Sequence, residues 1–248
     1  MKITALGTNG WFDTATGSTN CTLIQTSDYS VVLDAGYGIA KIKTIVDFTK
    51  PVFIFLTHLH LDHVIGLHVL DAFEFEQPLR IIAPIGGAPD LKELMRKPFT
   101  TRWDKHPYPI EILDSSELAQ HEFPFEVEAL PLVHAVPDTG YRFTINGKII
   151  AFVLDTAYCE NAVRLSQNAD FLITESGFLP ETVNSPAGHM NPETAARLAK
   201  EAGAKKVLLI HFGANSYDTI DKRREAVDSG RDIYPELIMG LDNMEFIL

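Results

Sequence analysis

Six consecutive residues, His58-Leu59-His60-Leu61-Asp62-His63, carry four side chains able to bind a metal ion, directly after the apolar run 51–56. Alternate side chains of an extended backbone project to one side, so His58 and His60 can converge on a single ion through two imidazoles. Asp62 and His63 are adjacent and would diverge in a strand, but in the first turn of a helix they can aim at a second ion close to the first. Asp62 also suits a helix N-terminus, because Val64, Leu67 and Leu70 follow at helical spacing. One short loop could therefore feed two metals, and the chemistry implied is that of a metal enzyme. The bland alternative is a solvated histidine-rich turn.

Further candidates stand downstream and upstream, each at the end of an apolar run: Asp34, His134, Asp155 and His211. A rigid sheet delivers side chains to a common edge in this way. Taken alone each is ambiguous, since an Asp after a strand also caps helices and a lone His is often structural. Together with the H-x-H-x-D-H cluster, their order resembles the metallo-β-lactamase superfamily over nearly the whole chain. That resemblance assigns His58, His60 and His134 to one metal, and Asp62, His63 and His211 to the other, with Asp155 bridging. Asp34 would steady the metal loop by hydrogen bonds, with a purely structural turn as the alternative. His and Asp ligands suit two divalent ions, Zn²⁺ first, with Mn²⁺ or Fe able to use the same donors.

Ala187-Gly188-His189-Met190-Asn191-Pro192-Glu193 leads into a helical run, and His211 follows His189 by 22 residues. This arrangement is similar to the ribonuclease Z branch of phosphodiesterases, as is Glu175 after the run 171–174. Thr174 departs from the branch, which often has His there. The resemblance implies that His189 donates a proton to the leaving oxygen or hydrogen-bonds the phosphate, oriented by Glu175, and that Asp62 can accept a proton from the attacking water. A loop or helix-capping histidine is the alternative for His189. Two cations about 3.5 Å apart would provide hydroxide at neutral pH and neutralise phosphate oxygens, so no covalent protein nucleophile is needed.

Substrate size follows from spacing and charge. Ribonuclease Z enzymes of the branch carry a long basic arm between the residues matching His134 and Asp155. Here these are 21 residues apart, filled by one hairpin. With a formal charge of −12 and pI near 5.1, long nucleic acid is disfavoured as a partner. The expectation is a dinuclear phosphodiesterase for a small or cyclic phosphodiester. Other readings are ribonuclease Z-like RNA processing, a thioester, lactone or β-lactam hydrolase on the same metals, and a metal-binding protein without turnover.

The elements that must position these residues alternate. Strands are expected over 2–6, 21–26, 30–33, 52–56, 79–83, 126–130, 141–145, 148–154, 171–174 and 207–210. Helices are expected over 39–48, from Asp62, and over 89–96, 160–166, 192–202 and 218–227. Asn146-Gly147 marks a type I′ hairpin. Periodicity gives a mixed α/β chain; the resemblance makes it a four-layer αββα sandwich with the metals in a groove at one edge. At 248 residues and 46% hydrophobic, the chain can bury its core as one domain, 1–248.

Residues 1–7 lack the apolar region of a signal peptide and no run reaches the length of a membrane helix, so a cytoplasmic protein without a membrane partner is expected. Relatives imply a homodimer. Cys21 and Cys159 read as free thiols, with a metal role for Cys159 the lesser alternative. His68 and His121 read as structural or solvated. The aromatic and cationic segment 97–109 reads as a surface loop, with a lid or subunit contact as its alternative. Trp11 and Phe12 either wall the pocket or pack ordinarily.

Overall fold

Successive residues of the strand Val52–Phe55 enter different cores: Val52 and Ile54 pack on one face, Phe53 and Phe55 on the other. The same alternation holds in Lys148–Val153, where Ile150 and Phe152 share a core with Phe53 and Phe55 while Ala151 and Val153 face away. Strands buried on both faces read as continuous apolar runs, and their side chains dictate two sheets with a shared interior.

The structure, a computed structural model, describes residues 1–182 and 188–248; Ala187 of the His189 motif lies outside the described residues. The first half comprises β1 (Lys2–Gly7), β2 (Asn9–Gly10), β3 (Cys21–Gln25), β4 (Ser30–Leu33), β5 (Val52–Phe55), α1 (Leu61–Val64), β6 (Leu79–Ala83), α2 (Ala88–Leu94) and β7 (Ile110–Asp114). The second comprises β8 (Glu126–Pro131), β9 (Thr139–Ile145), β10 (Lys148–Val153), α3 (Glu160–Ser166), β11 (Phe171–Glu175), α4 (Pro192–Ala202), β12 (Val207–Ile210), β13 (Phe212–Gly213), α5 (Ile220–Arg231), β14 (Leu237–Met239) and β15 (Met244–Ile247). One sheet has the order β15-β1-β3-β4-β5-β6-β7 and the other β14-β12-β11-β10-β9-β8, while β2 and β13 form a small parallel pair. The central core lies between the sheets. A second lies under α2 and the 3₁₀ segments Tyr37–Thr44 and Ile65–Ala72, and a third under α3, α4 and α5. This is the four-layer αββα arrangement of the metallo-β-lactamase fold.

Strand direction sets the active edge. β4, β5 and β6 are mutually parallel, as are β10, β11 and β12. β8 runs antiparallel to β9, which runs antiparallel to β10, so β8 ends at the same edge as β10. Parallel strands place their carboxyl ends together, where loops gather into a crevice.

The local departures have physical causes. The helix expected over 39–48 is a 3₁₀ segment ending at Thr44, where Thr44, Ile45 and Val46 form a β-branched run. The helix expected from Asp62 begins at Leu61, directly after His60, and gives way to 3₁₀ geometry at Ile65. Gly66 causes that change: its N–H donates to the Ala35 carbonyl, and a Cβ there would meet the Gly36 carbonyl oxygen at 2.3 Å. The last helix starts at Ile220 because Thr219 caps it, accepting from the Lys222 N–H. β7, β14 and β15 had no apolar run long enough to announce them. Asn146 and Gly147 both have positive φ, as a type I′ turn requires. Among the described residues no helix is long and apolar enough to cross a membrane.

Candidate metal centre

Three strand ends deliver a side chain through a backbone conformation that non-glycine residues rarely adopt. Asp34 after β4, Asp155 after β10 and His211 after β12 have φ of 58°, 44° and 53°. Left-handed backbone at such residues is uncommon and costs stability, and it turns the chain sharply at the end of each strand. The loop after β5 adds His58 and His60, α1 adds Asp62 and His63, the loop after β8 adds His134, and β11 ends on Glu175.

All seven proposed ligands meet. His58, His60, His134 and Asp155 have ligand atoms within 4.8 Å of one another, and so do Asp62, His63 and His211. His58 Nε2 lies 2.8 Å from His60 Nδ1, which lies 3.3 Å from His134 Nε2. On the other side His63 Nε2 and His211 Nε2 are 3.1 Å apart, and His211 Nε2 is 3.3 Å from Asp62 Oδ2. Asp155 stands between: Oδ1 is 3.5 Å from His63 Nε2 and 3.2 Å from His211 Nε2, while Oδ2 is 3.8 Å from His58 Nε2 and 4.0 Å from His134 Nε2.

These separations fit metal donors. Ligand nitrogens about 2.0 Å from a tetrahedral ion sit roughly 3.3 Å from each other. Facing ring nitrogens repel through their lone pairs unless a proton or an ion lies between them. Asp155 Oδ1 is buried with no hydrogen bond, an expensive condition for a carboxylate that a cation relieves. Burial holds His58 well below the usual imidazole range and lowers His60 and His134, so these rings are neutral, as ligands must be. Burial opposes a charge on His63 too, but Asp155, Asp34 and Asp62 outweigh it and hold the ring well above its ordinary value. Burial likewise works to raise Asp155, yet His211 and His63 hold it well below the usual carboxylate range. A cation between these groups would replace that shared proton.

Asp34 is fully buried and does not reach the ligand cluster. Its carboxylate accepts from Asn20 Nδ2 at 2.7 Å, Thr57 N–H at 2.8 Å and His63 Nδ1 at 2.7 Å, so it fixes the His63 ring from behind. Asp138 occupies the comparable place behind His58, without a hydrogen bond to it, and was missed. It is fully buried, 3.3 Å from His58 Nδ1, and burial, reinforced by Asp155 and Asp34, pushes its carboxyl well up. No apolar run precedes it in the sequence, and a lone Asp after Pro137 reads as a turn residue.

His189 and Glu175 pair at the groove wall. Glu175 Oε2 accepts from His189 Nδ1 at 2.9 Å, which leaves Nε2 facing the centre, 3.9 Å from Asp155 Oδ2. Burial works to lower His189, but Glu175 and then Asp155 outweigh it and bring the ring to about 9. Gly188 makes the approach possible: its φ is +73°, and a Cβ would lie 2.6 Å from the Val133 carbonyl oxygen beside His134. Thr174 instead points away, donating to the Val153 carbonyl.

Other candidates stand apart. Cys159 caps α3, and its Sγ lies 3.7 Å from Thr156 Oγ1 rather than among the ligands. His68 bonds the Ile65 carbonyl, and His106 lies 2.9 Å from Asp71. Within 97–109, Tyr108 is buried with its hydroxyl on the Leu70 carbonyl and Trp103 packs against the core, whereas Phe99 is exposed. Trp11 and Phe12 line the cavity over the ligand cluster.

Comparisons with known proteins identify the family. The model of the β-lactamase superfamily domain matches residues 29–212, a span that contains every proposed ligand. The chain is 30% identical over 240 residues to the probable metallo-hydrolase YhfI of Bacillus subtilis, covering 93% of this chain and 95% of that one. It superposes on the crystal structure of the same metallo-β-lactamase fold protein with a TM-score of 0.80 at 25% identity, over 99% and 98% of the two chains. A ribonuclease Z of Metallosphaera sedula is 26% identical over 288 residues, with 95% and 94% covered. Human tRNase Z, short form, shares the fold at a TM-score of 0.74 and 22% identity, over 100% and 99%.

Proposed function

This chain belongs to the β-lactamase superfamily of metal-dependent hydrolases, and on that premise we propose that it is a dinuclear phosphodiesterase acting on a small or cyclic phosphodiester. The observation that carries the reading is Asp155, which turns one carboxylate oxygen toward each histidine group while His189 stands beside it with Nε2 free to act. His58 Nε2, His60 Nδ1, His134 Nε2 and Asp155 Oδ2 would hold one ion, and Asp62 Oδ2, His63 Nε2, His211 Nε2 and Asp155 Oδ1 the other. Two divalent ions there would supply positive charge for phosphate oxygens and hydroxide for attack.

The chain's own residues do the rest. Asp34 holds the His63 ring against rotation, Thr57 Oγ1 bonds His58 Nδ1, and Asp138 stands 3.3 Å behind that ring. Asp62, at the mouth of the groove, accepts a proton from the attacking water. Glu175 keeps the Nδ1 proton of His189, so the proton given to the leaving oxygen comes from Nε2. A carboxylate behind a histidine fixes its orientation and stabilises its charged form. Such a His–Glu pair suits a leaving group that must be protonated as it departs, as an alkoxide must and the thiolate of a thioester need not.

A small substrate is supported by what surrounds the centre. Among the described residues no lysine or arginine lines the cavity, and the segment between His134 and Asp155 is the single β9–β10 hairpin. A long polyanion needs cationic docking points. The relatives named ribonuclease Z favour the second reading, processing of transfer RNA precursors. Hydrolysis rates on bis-p-nitrophenyl phosphate, nucleoside cyclic phosphates, a thioester, a β-lactam and a precursor transfer RNA decide between them. Turnover of the diesters with poor cleavage of the precursor is expected; efficient precursor cleavage at physiological salt would replace this proposal with the RNA-processing one.

A further inference from the structure

Trp11 combines three features that do not belong to ordinary packing. Its φ is +78°, a conformation that is a true outlier for a bulky residue. Its side chain is 66% exposed. Its backbone N–H donates to Asp62 Oδ2 at 2.6 Å, so the strained residue is tied directly to a proposed metal ligand. The small β2–β13 pair holds this loop against His211, and Gly10 allows the approach: a Cβ there would lie 2.5 Å from the His211 ring. A tryptophan is thus held out over the metal groove by a backbone that resists its conformation.

Its surroundings favour a flat, uncharged group. Phe12 meets Trp11 edge-on at 5.4 Å between centroids, and Tyr37 and Phe178 line the same cavity of about 680 Å³. A cavity of this size accepts a molecule of nucleotide size. With no lysine or arginine among its described lining residues, it has nothing to bind a second phosphate. We infer that the aromatic wall led by Trp11 stacks on a nucleobase, making the substrate class nucleoside cyclic monophosphates rather than base-free sugar or alkyl diesters. This rests on the phosphodiesterase reading above and deepens it: the metals address the phosphate, and Trp11 selects what the phosphate is attached to.

The test compares two substrates with the same reacting ring, adenosine 2′,3′-cyclic phosphate and the base-free methyl riboside 2,3-cyclic phosphate, on the metal-loaded full chain. The nucleoside should be preferred in kcat/KM by roughly 5- to 150-fold, the range for one base on one aromatic ring. In Trp11→Ala the ratio of the two kcat/KM values should collapse toward one, mainly through the KM of the nucleoside, with metal content measured alongside. Trp11→Phe should restore most of the preference. A separate binding titration with adenosine monophosphate and ribose 5-phosphate should show the same Trp11-dependent difference without any turnover. A preference that survives in Trp11→Ala, or equal treatment of both compounds by the native chain in rate and binding, overturns the inference. A change of oligomeric state in Trp11→Ala with the preference left intact overturns it as well, since Trp11 would then serve a subunit contact. If neither diester is hydrolysed yet adenosine monophosphate still binds through Trp11, the phosphodiesterase reading fails and the base-stacking wall stands.

Discussion

The floor and the rim of one groove are built in opposite ways. The floor is the more buried part, with His58 and His63 at 0% exposure and His211 at 4% while His60, Asp62 and His134 are partly exposed, and each ring is held by a second side chain or by a neighbour's ring. The rim is open: Trp11, Leu61, Phe12 and Tyr37 all show large apolar surface to solvent. Desolvation of buried polar groups is offset only by fixed partners, so a floor of this kind has little freedom in what it binds. An exposed aromatic rim leaves hydrophobic area in water until a ligand covers it. Chemistry therefore resides in the floor and selection in the rim, and substitutions should sort accordingly.

The largest effect should come from the residue the two halves of the floor share. Asp155→Ala removes the only carboxylate that faces both histidine groups, so metal content should fall from about two equivalents at both sites together, and activity with it. Elemental analysis of the purified variant checks this; two full equivalents in Asp155→Ala would break the idea of one shared floor.

His189 stands at the boundary between floor and rim. His189→Ala should keep both metals and lose roughly 10²- to 10⁴-fold in turnover, the usual contribution of a general acid. Because p-nitrophenolate leaves without much protonation, the loss should be smaller on bis-p-nitrophenyl phosphate than on a diester that releases a ribose hydroxyl. Equal small losses on both would return His189 to the status of a loop residue.

Asp138 tests whether the floor depends on groups behind the ligands. With an ion on His58 Nε2, the Nδ1 proton of that ring would have Asp138 within reach, so Asp138→Ala should weaken metal binding there by roughly 10- to 100-fold, the usual cost of losing a group behind a ligand. Stability of the metal-free protein should not fall, because a buried carboxyl with no hydrogen bond gives the fold nothing. Chelator competition and thermal unfolding separate the two outcomes; a large loss of stability with unchanged metal affinity would make Asp138 a packing residue.

The smallest effect is a titration. The folded pKa of His189, about 9, lies above the ordinary 6.5. The stability contributed by its pairing with Glu175 is therefore fully present below about pH 6.5 and lost as pH rises through about 9. Imidazole resonances of the metal-free protein should titrate His189 near 9, and Glu175→Gln should move that midpoint down. A midpoint at or below 6.5 in the native chain would show that the pair does not hold a proton, and chemical denaturation across the same window should then be flat for this group.

The floor was more legible in the sequence than the rim, and the reasons are local. His58 to His63 are contiguous, so loop geometry alone brings four donors together. Pro192 at the first turn of α4, Asn191 as its cap and Gly203 at its end mark that helix from sequence alone. Strands β5, β10 and β12 announce themselves because burial on both faces leaves them uninterrupted apolar residues. β7, β14 and β15 lie at the sheet edges, and β14 and β15 have mostly half-buried positions over three or four residues, too short a pattern to stand out. Trp11 could be read only as a wall or as packing, since exposure and backbone strain have no signature in residue type.

The sequence by itself named the candidate ligands, through a resemblance carried by the contiguous His58–His63 cluster, and most of the strands that carry them, because donor chemistry and hydrophobic alternation belong to individual residues and their near neighbours. Only the tertiary structure decided which oxygen of Asp155 faces which histidines, which carboxylates stand behind His58 and His63, and that His189 turns Nε2 inward while Glu175 holds Nδ1. These arrangements depend on two sheets meeting along one edge, on glycines that let loops touch, and on ligands bent out of their strands through left-handed backbone. Contacts between residues more than a hundred positions apart, such as His63 with His211, are fixed by packing of the whole chain.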